Sequence, residues 1–293
     1  MTTPRERIGI QLAPLTQQQQ QLAREELRET PENVAEAVVA LRELLRADPT
    51  LHYRDDDDFL IRFLRPTKYY PKSAHELMKR AAVFKDKHSD LLRNLLPTDE
   101  QDAFVNHTVV NVLADRDHKD RRVLIVNCGG SWDPSKVTAY QMFKLFYLIH
   151  EGAMLEPQTQ VAGVVVIMDF KNMSLKQVRG LSPSFSMLLL SFIQDAMPLR
   201  LKEVHIVKQP YIFNMVFAMF KPFIREKLRN RMFFHGDKME SLHKHLDPSH
   251  LPEDYGGKLP KIDYTSKDWY PVICDITDEI KEWNSYGLVQ QSK

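Results

Sequence analysis

The feature that most constrains the fold of this 293-residue chain is a series of short apolar runs in its second half. The runs are RRVLIVNC at 121–128, GVVVIMDF at 163–170, LKEVHIV at 201–207 and RMFFHG at 231–236. Three helix-like stretches separate them, at 134–155, 174–196 and 210–223. Runs that do not alternate with polar residues are typical of strands covered on both faces. Because strands alternate with helices, we predict an α/β fold built on a mostly parallel sheet with flanking helices.

The first third of the chain predicts helices without strands. Residues 1–29 are polar and predict an exposed arm. Thr30 can cap a helix that Pro31 begins, and further helices are predicted from Asp55–Asp58 and over 71–92. A calcium site is the alternative interpretation of the four aspartates, but acidic residues favoured at a helix N-terminus account for them more simply. The predicted organisation is a polar arm (1–29), a small all-helical bundle (30–96), the α/β domain (97–257) and an aromatic tail (258–293) that covers the surface.

Composition excludes several broad classes of protein. The net charge of +1 gives no overall attraction to nucleic acid, so any electrostatic binding is local. Cys128 and Cys274 form neither a disulfide framework nor a metal-spaced pair, which suits a reducing compartment. We find no apolar run of signal-peptide length at the N-terminus, and no segment approaches the roughly 18 apolar residues of a membrane span. We therefore expect a cytoplasmic protein whose membrane contact is peripheral.

The motifs of common α/β enzymes are missing. The one glycine-bearing strand end, NCGGSWDP, lacks both the following Lys-Ser/Thr and the G-x-G-x-x-G pattern of phosphate loops. The chain has no G-x-S-x-G elbow, and HEGAM at 150–154 lacks the second histidine of a zinc protease. The neighbouring histidines 235, 243, 245 and 250 lack regular ligand spacing, so we interpret them as solvated or capping residues. We predict no enzymatic activity, no metal and no cofactor.

Apolar residues are in excess on three predicted helices. The helices contain AYQMFKLFYLIHEGAML, FSMLLLSFIQDAM and PYIFNMVFAMFKPF. Burial in a large core explains each one alone, but three against one sheet can also line a hydrophobic cavity. The third is apolar on all sides and leads into the basic segment KPFIREKLRNR, with Arg200 and Lys202 just before the third strand. Such a pairing is either a solvated charged face or a surface for anionic lipid headgroups.

Several of these segments together resemble the CRAL-TRIO lipid-transfer family. The resemblance is carried in order by FLIRFLRPTKYYPKSAHELMKR, WDPSKVTAYQMF, MDF, MPLRLKEVHIVKQPYIFNMVFAMFKPFIREKLRNRMFFHG and LPEDYGG. It runs from about residue 30 to 257 and is closest to the branch of α-tocopherol transfer protein, cellular retinaldehyde-binding protein and clavesins. It implies that the large domain is a lipid cage and that the helix over 210–223 is its mobile gate.

The resemblance also implies two sets of site residues. The ligand-binding set is Phe143, Phe146, His150, Val164, Leu189, Phe192, Ile193, Leu199 and Val204, with Phe213 and Phe217 on the gate. The phosphoinositide-binding set is Arg200, Lys202, Lys227, Arg231 and Lys68. Thr67 occupies the position of an arginine of the family, and the adjacent Lys68 would take the place of that arginine. Bulky Phe146 and His150 replace small serines of the tocopherol-binding relative, so the pocket is shorter and gains a ring nitrogen.

We therefore expect a non-enzymatic intracellular carrier of a small lipophilic ligand such as a tocopherol (vitamin E), a retinoid or a carotenoid. Phosphatidylinositol phosphates would couple loading and release to peripheral contact with endosomal or other intracellular membranes. The alternative is a phosphoinositide-sensing trafficking adaptor that transfers no cargo.

Overall fold

The computed structural model describes residues 4–289, so residues 1–3 of the predicted arm and 290–293 of the predicted tail lie outside it. The N-terminal part is helical, as the sequence predicts. Its α-helices are α1 (Gln17–Leu27), α2 (Pro31–Arg46), α3 (Asp57–Leu64), α4 (Pro71–Lys87) and α5 (Ser89–Leu92). A two-residue strand, β1 (Leu51–His52), lies between α2 and α3.

Local capping explains where these helices begin. The Thr30 hydroxyl accepts a hydrogen bond from the Asn33 amide at 3.2 Å, and Pro31 occupies the first position of α2. The Asp56 carboxylate accepts from the Phe59 amide at 3.1 Å and so caps α3. Asp57 pairs with Arg42 at 2.5 Å. The aspartate run thus caps α3 and ties it to α2.

A five-stranded sheet forms the centre of the second part. Its strands are β2 (Val110–Val112), β3 (Arg122–Asn127), β4 (Val164–Asp169), β5 (Leu201–Val207) and β6 (Met232–Gly236), in that spatial order. The last four are parallel, whereas β2 pairs antiparallel with β3. The predicted α/β fold and its four parallel strands are confirmed. The sequence did not predict β2, because Asn111 interrupts a run of only three residues.

The two faces of the sheet pack against different layers. On one face Val123, Ile125, Val165 and Ile167 pack with Leu242 and its neighbours, on segments that follow β6. On the other face Val126, Met168 and Ile206 contact the apolar helices. The helices of this part are α6 (Gln101–Asn106), α7 (Ala139–Leu155), α8 (Pro157–Ala162), α9 (Leu175–Arg179), α10 (Pro183–Ser191), α11 (Phe213–Phe220), α12 (Glu226–Arg229) and α13 (Met239–His243).

The helix predicted over 174–196 is divided into three pieces. The chain leaves α9 at Gly180, where an added Cβ would lie 2.5 Å from Pro134. Ser182 then caps α10, with its hydroxyl accepting from the Phe185 amide at 3.1 Å. After α10, residues Phe192–Ala196 form a wider π-helical turn. Because a π-turn adds a residue to the helical repeat, it rotates the side chains that follow.

The C-terminal segment belongs to the core, although the sequence predicted a surface covering. It forms α14 (Ser266–Asp275), α15 (Thr277–Ser285) and β7 (Gly287–Leu288), and β7 pairs with β1. The Trp269 indole donates to the Val112 carbonyl at 2.9 Å, and the Trp283 indole donates to the Tyr147 hydroxyl at 2.8 Å. No helix within residues 4–289 is long and apolar enough to cross a membrane.

Candidate ligand cavity and adjoining basic cluster

A cavity of about 190 Å³ lies between the inner face of the sheet and helices α7, α10 and α11. An apolar cavity of about 150 Å³ is already enough to hold a benzene-sized molecule. The strands contribute Val110, Val112, Leu124, Val126, Val164, Val166, Met168, Leu201, Val204, Ile206 and Met232 to its wall. The wall is overwhelmingly apolar, so it offers a ligand contact with carbon and sulfur atoms almost everywhere.

Ten of the eleven residues predicted to bind ligand line this cavity. They are Phe143, Phe146, His150, Val164, Leu189, Ile193, Leu199, Val204, Phe213 and Phe217. Phe192 is fully packed behind the wall, with its ring centroid 5.3 Å from that of Phe84 on α4. Phe192 is the first residue of the π-turn, and the next residue, Ile193, lines the cavity.

Helix α11 forms one wall of the cavity and also faces solvent. Phe213, Val216, Phe217 and Phe220 line the cavity. On the outer side, Tyr211 is 91% exposed and Met215 51% exposed. A Lys221–Phe223 turn follows the helix, and Pro222 there cannot supply the amide needed to extend it. The predicted all-round apolar helix therefore has an inner face on the cavity and an outer face in solvent.

His150 is a buried polar residue in the cavity wall. It lies on α7, is 3% exposed, and neither ring nitrogen has a hydrogen-bond partner within the described part of the chain. Its Nδ1 is 3.5 Å from Oε1 of Glu151, and burial raises the pKa of that carboxyl group. The Phe192 ring meets the His150 ring edge to face at 5.2 Å.

Two charged residues also reach the wall, and they are paired with each other. Arg122 donates to Glu156 through Nε at 3.0 Å and Nη2 at 2.5 Å. Arg122 also donates to the Gly9 carbonyl at 3.0 Å, and the Gln11 amide donates to Glu156 at 2.8 Å. These bonds hold residues 9–11 so that Ile10 lines the cavity. The sequence missed this role for Ile10, because one isoleucine in a polar arm carries no periodic signal.

The predicted phosphoinositide-binding residues form two groups, which differ in whether a carboxylate of the described chain pairs with them. Arg200 and Lys202 both pair with Glu26 on α1, and the Lys202 Nζ lies 2.9 Å from its Oε2. Burial, followed by the positive charges of Arg231, Lys68 and Arg80, lowers the pKa of Lys227. We call Lys68, Arg80, Lys227 and Arg231 the basic cluster. Within the described residues, none of these four has a carboxylate partner within 4.0 Å.

The basic cluster spans two parts of the chain. Lys68 and Arg80 come from the N-terminal helical part, whereas Lys227 lies on α12 and Arg231 follows two residues after that helix ends. Arg231 donates to the carbonyl of Leu201, the residue that follows Arg200. Burial and then the charge of Arg200 lower the pKa of Arg231. Sequence reasoning missed Arg80, whose guanidinium donates to the Asp195 carbonyl at 2.9 Å. Only the folded arrangement shows that it lies near Lys227.

A mostly parallel sheet with one face covered by apolar helices, and an apolar cavity between them, is an α/β fold that can hold a small lipophilic molecule. The chain belongs to the CRAL/TRIO domain family, whose model matches residues 106–257. Members of this family bind small lipophilic ligands and act as carriers rather than enzymes.

Curated relatives match most of the chain. Clavesin-2 of Rattus norvegicus is 31% identical over 276 residues, which cover 91% of this chain and 82% of that protein. The alpha-tocopherol transfer protein-like protein of Mus musculus is 35% identical over 263 residues, covering 89% and 76% respectively. The crystal structure of Sfh5 has a similar fold, with a TM-score of 0.53 at 15% identity, over 82% of this chain and 92% of that one.

Proposed function

We propose that this protein carries a small hydrophobic ligand in the cavity and exchanges it at membranes that contain phosphoinositides. The observation that supports the proposal is the apolar cavity with α11 as one wall. Burial of apolar surface contributes roughly 0.8 kcal/mol per methylene group, so a lipid of some 25 carbons does not leave such a site for water at a useful rate. The carrier would therefore unload only where another apolar phase receives the ligand.

The gate for this exchange is α11. Moving it outward would expose Phe213 and Phe217, which line the cavity, beside Tyr211 and Met215, which already face solvent. Such a combined apolar surface is unfavourable in water and favourable in the headgroup–acyl boundary of a bilayer. The exchange step would then occur on a membrane and not in solution.

The basic cluster would select the membrane. Each cation near an anionic leaflet contributes roughly 1 kcal/mol, so the four members of the cluster would orient the protein on the surface. Arg200 and Lys202 complete the predicted phosphoinositide-binding set once they are released from Glu26. We expect a protein of the cytoplasm that docks reversibly on endosomal or other intracellular membranes.

The ligand we propose is a tocopherol, a retinoid, a carotenoid or a similar lipophile with one small polar group. A buried nitrogen without a partner costs about 1–3 kcal/mol, and a ligand hydroxyl or carbonyl at His150 would remove that cost. The name of the mouse relative points to tocopherols. Phe146, which also lines the cavity, shortens the space available to the rest of the molecule.

The test is organic extraction of the purified protein followed by mass spectrometry. The carrier proposal predicts one lipophile in an amount close to one per chain, retained through gel filtration and released to acceptor vesicles. Protein that is empty, refuses added lipophiles and still binds phosphoinositide vesicles would instead support a trafficking adaptor without cargo.

A further inference from the structure

A carboxylate of the protein itself occupies part of the proposed headgroup surface. Glu26 lies near the end of α1 and contacts both Arg200 and Lys202, the latter at 2.9 Å. Burial acts to raise the pKa of Glu26, but the hydrogen bonds and charges of Arg200 and Lys202 outweigh it and lower that pKa. Glu26 is therefore ionised at neutral pH and acts as the counter-anion of two cations.

Helix α1 is fixed there by a small apolar contact. Ala23 and Leu27 are buried against Val161 of α8. Arg200 links the same elements, because it donates both to the Val161 carbonyl and to Glu26. Since Glu26 is 39% exposed, its two ion pairs are accessible from solvent. The buried Gln19 side chain also donates to Asp120, and Glu29, just after α1, pairs with Arg65 at 2.7 Å. An anion can therefore compete only with the part of the attachment that Glu26 provides.

We propose that Glu26 is an internal competitor for anionic headgroups, and that a headgroup with at least two phosphate groups displaces it and loosens α1. This inference rests on the proposed phosphoinositide site. The headgroup must contact the basic cluster and also replace two ion pairs on Arg200 and Lys202. Because the same Oε2 atom of Glu26 contacts both Arg200 and Lys202, one phosphate group can take its place there. A second phosphate group on the inositol ring would then contact the basic cluster. Glu26 thereby disfavours membranes whose lipids carry a single negative charge.

The test compares Glu26→Gln with Glu25→Gln on vesicles of phosphatidylcholine containing phosphatidylinositol bisphosphate. Glu25 is the matched control, because it lies on the same helix and is exposed, and because within residues 4–289 its side chain accepts a hydrogen bond only from Gln21, at 2.6 Å. Both variants change the net charge equally. A partly exposed ion pair is worth a factor of up to about five in an equilibrium constant. We expect Glu26→Gln to bind about fivefold more tightly than the wild type, and Glu25→Gln to bind like the wild type.

Hydrogen exchange of the full-length protein gives a second readout that does not depend on a variant. Amides of residues 17–27 should exchange faster when the wild type binds bisphosphate vesicles, and not with phosphatidylserine vesicles of equal total charge. Equal affinities of the two variants together with unchanged exchange in α1 would overturn the role of Glu26 while leaving the headgroup site intact.

Two further outcomes address the site itself. If neither the wild type nor Glu26→Gln binds bisphosphate vesicles more tightly than neutral ones, the phosphoinositide site fails and the inference fails with it. Soluble inositol trisphosphate distinguishes a lipid from a free ligand. We expect it to compete with vesicles only at high concentration; release of α1 by the soluble compound and not by vesicles would refute the membrane assignment.

Discussion

Glu156 is the residue whose loss the structure predicts most sharply. Its side chain is 2% exposed and accepts hydrogen bonds from Arg122, Arg116 at 2.9 Å and Thr159 at 2.6 Å, as well as from the Gln11 amide. The change Glu156→Gln keeps the shape but removes the one carboxylate that lies within 4.0 Å of the buried Arg116 and Arg122 in the part of the chain that the structure describes. Breaking a buried pair in this way costs about 3–5 kcal/mol.

The assay is urea denaturation with linear extrapolation, which reports the free energy of unfolding. We expect Glu156→Gln to lower it by about 3–5 kcal/mol. The matched control is Glu253→Gln, because the Glu253–Lys261 pair is 4.0 Å apart with both side chains about two-thirds exposed. Such surface pairs contribute roughly 0–1 kcal/mol. A loss below about 1 kcal/mol for Glu156→Gln would refute the idea that this carboxylate balances the buried arginines.

The same network predicts a pH dependence. Burial acts to raise the pKa of Glu156, but the hydrogen bond and charge of Arg122 outweigh it and hold the pKa below its usual range. A carboxyl whose pKa is lower in the folded state stabilises the protein above its unfolded pKa of about 4.3. That contribution is lost as the pH falls through the lower folded pKa. The difference in stability between wild type and Glu156→Gln should therefore shrink below about pH 4.

Two predictions concern binding. The double variant Lys227→Ala with Arg231→Ala should weaken binding to phosphoinositide vesicles by about tenfold or more, since each cation contributes roughly 1 kcal/mol, while the cavity still loads ligand. Vesicle flotation measures the binding, and organic extraction measures the loaded ligand. Unchanged flotation would contradict the assignment of these two residues. His150→Ala should change ligand affinity or selectivity, measured by quenching of Trp132 and Trp269, which both line the cavity; unaltered binding of every lipophile would remove His150 from the site.

Local patterns predicted the sheet well, because they depend on neighbouring residues. The continuous runs beginning at Arg121, Gly163 and Leu201 lie in the strands β3, β4 and β5. The features that could not be predicted depend on distant contacts. Ile10 reaches the cavity only because Arg122 and Glu156 bind the backbone beside it.

The same reasoning explains where the site assignments differ from the structure. The family resemblance placed Phe192 in the ligand-binding set, but in the structure its ring packs against Phe84, behind the cavity wall. The sequence could not show that Arg200 and Lys202 are paired with Glu26, because Glu26 is 174 residues away from Arg200 along the chain. The cations without a carboxylate partner among the described residues are those of the basic cluster. Arg80 belongs to this cluster, although no sequence motif identifies Arg80.

The order of elements along the chain offers a route by which we propose that the two binding events are coupled. Helix α11 ends at Phe220, and within a few residues the chain enters α12, which carries Lys227 and precedes Arg231. The Gln194 side chain joins this linker to the π-turn, accepting from the Arg225 amide at 2.8 Å and donating to the Phe223 carbonyl at 3.0 Å. A headgroup that binds Lys227 therefore contacts α12, which a short linker joins to α11, the proposed gate. Because a ligand shifts a conformational equilibrium only by its differential affinity for the two states, such a headgroup favours release only if it binds the open form more tightly. The cargo-loaded protein should accordingly bind phosphoinositide vesicles more weakly than the empty protein.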